Sequence, residues 1–198
     1  MNIFSPNYEV QFTLFSLSHL VTMAVIAVVW ILMPYTLSRG VSKKTDKRIC
    51  YTMAAVLVGQ YLSWMLWEAL TGRFTLHLSL PLNLCDMTNF LLAVLLVNKS
   101  RKLFEILYFW ALAGSIQSFI TPNITFAFPH FEFFVFYLQH GGEILVILYF
   151  GFVLKYRPWP ICIIKTYAWL VVLVIGIYIF NLISGTNYMF FMVDTPHP

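Results

Sequence analysis

Six runs of roughly twenty apolar residues, near 16–37, 49–71, 80–97, 103–121, 131–154 and 161–183, take up most of this chain, with short polar loops between them. A helix rising about 1.5 Å per residue needs that length to cross a hydrocarbon core of roughly 30 Å. Hydrocarbon offers backbone N–H and C=O groups no partner, so each run must pair its own backbone as a helix. The expected fold is therefore all-α, a polytopic membrane bundle of six transmembrane helices. Composition agrees: 60% of residues are hydrophobic and 10% charged, against about 25% charged in soluble domains. No repeat or change of composition marks a second domain, so residues 1–198 read as one integral membrane unit. The first basic residue is Arg39. A secretory signal would carry basic residues before its apolar core, so the first run reads as a retained span.

The charges of the loops alternate. Ser38 to Arg48, Asn98 to Lys102 and Lys155 to Pro160, with Lys165 just beyond, hold every Lys and Arg except Arg73. The positive-inside rule puts those loops in the cytoplasm and the amino terminus outside a cell membrane. The net charge of +4 is then a matter of topology, and nucleic acid is not an expected partner. Cys50, Cys85 and Cys162 have neither disulfide-framework nor zinc-ligand spacing, so no metal or other cofactor is expected.

Orientation converts sequence position into depth. Helices entering from outside carry polar residues early: His19 in the first, Asn83, Cys85, Asp86 and Asn89 in the third, Gln139, His140 and Glu143 in the fifth. Helices leaving carry them late: Gln60 and Glu68 in the second, Gln117 in the fourth, Asn181 in the sixth. Polar groups at membrane depth face the bundle interior or a wet cavity. Their gathering in one half of the bundle predicts a single polar cavity open to the outer face.

Helical phase selects the groups that can meet. Cys85, Asp86 and Asn89 fall within an arc of about 100°, as do Gln139, His140 and Glu143. A thiol attacks as a thiolate, and a neighbouring imidazole is the usual device for making one. Cys85 as nucleophile and His140 as base are the candidate catalytic pair, at depths of roughly 8 Å and roughly 13 Å. Asp86 or Glu143 would orient the imidazole, and Asn83 or Gln117 would donate to an oxyanion. His130, Asn123 and Glu68 are the candidate substrate contacts, His130 for a headgroup at the outer boundary. The bland alternatives are an inert packing cysteine, an interhelical histidine bond and carboxylates that bind a proton or cation. Gly141 and Gly142 most simply allow close helix approach.

Several motifs together resemble a known family: Leu80-Pro81-Leu82-Asn83-Leu84-Cys85, Tyr108 to Gly114 leading to Gln117, Thr121-Pro122-Asn123, Phe128-Pro129-His130-Phe131, His140, and Asn187-Tyr188-Met189-Phe190. The chain is similar, from about His19 to Phe190, to the YwaF family of bacterial multi-pass membrane proteins. More distantly it resembles eukaryotic transmembrane acyltransferases that remodel ether phospholipids through a third-helix cysteine. That resemblance implies a catalytic role for Cys85, with His140 as the later-helix histidine, and a phospholipid or lysophospholipid substrate drawn from the lipid bilayer. The bacterial relatives carry His where this chain has Asn83, and they continue into a seventh helix beyond the Asn-Tyr-Met-Phe motif.

The leading expectation is a cysteine-dependent lipid acyltransferase working through an acyl-thioester. The alternatives are a small-solute or ion-coupled transporter and a non-enzymatic membrane binding protein. The chain shows no internal repeat and no midplane-broken helix, the usual marks of a transporter.

Overall fold

The computed structural model describes residues 2–77 and 79–191, Phe190 by its backbone alone. The polar tail beyond 191 lies outside the described residues. Six α-helices follow in order: α1 (Leu17–Leu37), α2 (Lys43–Leu70), α3 (Leu84–Asn98), α4 (Arg101–Ile120), α5 (Phe131–Leu148) and α6 (Cys162–Ser184). A π-turn, Tyr149–Val153, prolongs α5, and a short 3-10 turn, Tyr188–Phe190, follows α6. The protein is a multi-pass helical membrane bundle, with five helices among the described residues long and apolar enough to span.

Serine hydroxyls start three of these helices. Ser16, Ser42 and Ser100 each accept from a backbone N–H in the first turn, which satisfies donors that the helix leaves unpaired. α3 departs from expectation. It has 15 residues, roughly 22 Å of rise, and begins at Leu84 where the apolar pattern predicts a start at 80. Pro81 removes a backbone donor and disfavours helix in the residue before it. Asn83 is the extended N-cap.

The non-helical stretch ahead of α3 is tied down by tyrosines. Leu80 N donates to Tyr188 Oη at 3.0 Å, and that hydroxyl donates to Leu76 O at 2.6 Å. Tyr61 Oη donates to Ser79 O at 3.4 Å. Irregular backbone at membrane depth survives only when packed in protein or lining a cavity, and both conditions are met here.

α5 lies at the centre of the bundle and is buried on most sides, whereas α1 and α6 ride on its periphery and present apolar side chains outward. The main core joins Leu57 of α2, Leu92, Leu95 and Leu96 of α3, Phe104 and Leu107 of α4, and Val146 and Ile147 of α5. Gly141 and Gly142 permit the closest approaches, as expected. Trp30 Nε1 donates to Gly141 O at 2.9 Å, and a Cβ on Gly142 would stand 3.0 Å from Leu57 Cδ2.

Residues 2–15 form a strap across the end of the bundle that holds the start of α5. Phe12 N donates to Thr125 O at 2.9 Å, Ala127 N to Val10 O at 3.0 Å and Phe131 N to Ile3 O at 2.9 Å. Trp67 Nε1 donates to Phe4 O at 2.9 Å, and Arg73 Nη2 to Pro6 O at 2.6 Å. At the opposite, basic end Asp46 pairs with Lys99 and accepts from Tyr149 Oη at 2.7 Å, joining α2, α3 and α5.

Candidate functional site

A cavity of about 630 Å³ is bounded by the start of α3, the first half of α5 and the last turns of α4. Tyr61 and Trp64 of α2 and Leu170 and Val174 of α6 close its sides. Polar side chains are concentrated on the α3 and α5 walls. Asn83, Cys85 and Asp86 come from one, and Glu132, Gln139 and His140 from the other. Asn123 lines the cavity from the loop after α4.

Two amides hold Asp86, one from its own wall and one from across the cavity. Asn83 Nδ2 donates to Asp86 Oδ2 at 3.1 Å, and Gln139 Nε2 donates to Asp86 Oδ1 at 3.3 Å. Asn83 Oδ1 accepts from Met189 N at 3.3 Å, which brings the segment after α6 onto the cavity. Asp86 is therefore held by neutral donors, and one amide hydrogen of Asn83 is already engaged.

Cys85 is half-buried and free, with the Ser118 hydroxyl beside it. Gly114 of α4 passes beside it: a Cβ there would lie 3.6 Å from the sulfur, in ordinary van der Waals contact. His140 is 5% exposed, its ring packed edge-on to Phe136 at 4.5 Å between centroids. Its Nδ1 has no hydrogen-bond partner and stands 4.0 Å from Glu143 Oε2, one turn on. Glu143 lies behind the cavity wall, 1% exposed. Its Oε2 accepts from Ser115 Oγ at 2.5 Å, while Oε1 has no partner. Among the described residues no Lys or Arg forms an ion pair at this end of the bundle.

The structure thus brings Cys85, His140, Asn83, Asp86 and Asn123 to one cavity and sets Glu143 against His140. Glu68 is one step back, touching Ser79 and Trp64, which themselves line the cavity. Two other candidates lie elsewhere. Gln117 is exposed on α4 and donates to Thr121 Oγ1 at 2.6 Å, facing a separate shallow pocket. It sits about 200° around the helix from Ser115, so it cannot share the inward face. His130 is fully buried under the strap. Its Nε2 bonds Ser5 O at 3.1 Å and its Nδ1 accepts from Glu132 N at 3.1 Å as the N-cap of α5. Both nitrogens are used, which leaves it no means of touching a headgroup. Burial, partly countered by the Ser5 carbonyl and reinforced by Arg73, lowers its pKa below the ordinary histidine value.

The expectation that polar groups of all six helices converge is also corrected. His19 Nε2 bonds Phe119 O at 3.0 Å, Asn89 Nδ2 donates to Leu57 O at 2.9 Å, and Gln60 Nε2 donates to Asn89 Oδ1 at 3.4 Å. These join helix to helix. Asn181 holds the turn after α6 through Tyr188 O at 2.9 Å and Tyr188 N at 3.0 Å. Conversely, Ser115 and Ser118 reach the site unannounced. Their i, i+3 spacing just after Gly114 is the available signal, overshadowed by Gln117.

A model of the TMEM164 family, a transmembrane family, matches residues 14–198. The chain belongs to that family. The match takes in all six helices and every cavity-lining residue named above. No curated protein and no solved structure matches the chain.

Proposed function

We infer that this TMEM164-family protein is a cysteine-dependent acyltransferase that draws phospholipid from the outer half of a cell membrane. The observation that carries the reading is that Cys85 and His140 line one polar cavity in an otherwise apolar bundle. A resemblance to the transmembrane acyltransferases, and to the YwaF family beside them, adds the class of reaction.

In the first step His140 takes the Cys85 proton and the sulfur attacks the ester carbonyl of a phospholipid. The ester C–O bond breaks, the lysolipid oxygen leaves with the proton from His140, and an acyl-thioester remains on Cys85. A hydroxyl of a second lipid then gives its proton to His140 and attacks the thioester. The C–S bond breaks and the sulfur recovers the proton. Asn83, already oriented by Asp86, and Ser118 are the donors near the thiol that suit an oxyanion, a role of about 3–4 kcal/mol when well aimed. Asn123 and the Glu68 side are left for the headgroup.

Mass spectrometry of the purified protein after incubation with labelled phospholipid tests this. An acyl adduct on Cys85 is expected, and undiminished transfer by Cys85→Ala would rule the mechanism out. The unpartnered oxygens of Glu68 and Glu143 favour one rival, carboxylates that carry a cation or proton. Solute flux in proteoliposomes that survives Cys85→Ala but is lost in Glu143→Gln would establish a transporter instead.

A further inference from the structure

Glu143 lies inside the bundle with no cation closer than the histidine it faces, so its geometry depends on the donors around it. Ser115 supplies the short bond, 2.5 Å from Oγ to Oε2. The same Oε2 is the atom 4.0 Å from His140 Nδ1. Gln139 also approaches the carboxylate, but its Nε2 is shared with Asp86 Oδ1 at 3.3 Å. The hydroxyl itself is fully buried, and it comes from a different helix, so it ties α4 to the back of α5.

We propose that Ser115 is a positioning residue for His140, acting through Glu143. Held by the hydroxyl, Oε2 faces Nδ1, which selects the tautomer with the proton on Nδ1 and leaves Nε2 as the proton acceptor. When the ring takes a second proton, the same carboxylate offsets the charge at short range in a medium of low dielectric. A hydroxyl whose only task is to satisfy a buried acid would fix the stability of the bundle. A positioning hydroxyl also fixes the state of the imidazole. This assignment rests on the reading of His140 as the base, and its test is independent of acyl transfer.

The test is nitrogen NMR of protein carrying ¹⁵N-histidine in lipid nanodiscs, with the His140 signals assigned by their loss in His140→Asn. Wild type and Ser115→Thr, which keeps the hydroxyl, are expected to show the Nδ1–H tautomer. Ser115→Ala and Glu143→Gln are expected to move His140 to a mixture or to the other tautomer, with His19 and His130 unchanged. If the bundle transfers acyl chains, Ser115→Ala should lower kcat about tenfold with little change in KM, the loss expected of one ordinary hydrogen bond. Ser115→Thr should restore it. His140 signals that are the same in wild type, Ser115→Ala and Glu143→Gln would overturn the assignment. Should Ser115→Ala not assemble, Ser115→Cys, which replaces the hydroxyl by a weaker thiol donor, takes its place, and a His140 signal unmoved from wild type there would overturn the assignment. Transfer that survives Cys85→Ala would overturn only the acyl-transfer reading.

Discussion

The two ends of the bundle treat their acids in opposite ways. At the basic end Asp46 meets Lys99 and the Tyr149 hydroxyl, and Glu105 meets Lys165 at 3.7 Å. Each acid there has a cation, and the contacts clamp α2, α3 and α5 together and α6 to α4. At the cavity end Asp86 has only amides, Glu143 a hydroxyl, a shared amide and a distant imidazole, and Oε1 of Glu143 has no hydrogen-bond partner. A clamp is stable when its charges are matched. Acids and imidazoles left half-satisfied around a cavity are costly to keep, which is why the cavity end is proposed as the place for chemistry or binding.

Substitutions separate the two ends. The largest effect is expected for His140→Asn. Loss of a general base typically costs about 10²–10⁴-fold in rate, and transfer assays beside a thermal melt should show lost turnover with the fold retained. Asp46→Asn is the reverse case. It keeps an acceptor for Tyr149 but removes the ion pair, for a loss of about 1–2 kcal/mol, readable as a lower Tm at unchanged kcat/KM. A large activity loss in that variant would erase the contrast between the ends.

A smaller effect concerns the strap. His130 is neutral in the fold because burial lowers its pKa, whereas the unfolded chain takes up a proton near the ordinary value of 6.5. More protons bound in the unfolded state means that stability rises with pH. The contribution is complete above about pH 6.5 and is lost as pH falls through the lower, folded value. Melting curves between pH 8 and 5 should show this fall, and His130→Gln should flatten it. The smallest effect is expected for Gln117→Ala. An exposed side chain bonded only within its own helix turn should change stability by less than about 0.5 kcal/mol and leave activity alone. A strong loss of activity would mean that α4 rotates in the working protein.

Helices with apolar bodies and serine caps were readable one at a time, because hydropathy and capping act over a few residues. α3 starts later than its apolar pattern implies because Pro81 and Asn83 outweigh that pattern. Within the candidate site, Cys85, Asp86 and His140 were legible because ionisable or reactive groups are rare in a span. Gln117 misled because polarity shows in a sequence while the side of a helix that faces inward does not. His130 misled because the strap that covers it is contributed by residues more than a hundred positions earlier, through bonds such as that to Ser5 O.

What the sequence determined by itself is the membrane class, the helical content and the asymmetry of charge between the two ends, all of which follow from local composition against a bilayer of known thickness. Only the tertiary structure decided which polar residues share a cavity and which merely join helices. His19 and His140 are both buried histidines of apolar helices, yet one bonds Phe119 O and the other faces Glu143 and the cavity. That distinction depends on the rotation and neighbour of each helix, which are set by close packing across the whole bundle and by no single segment of it.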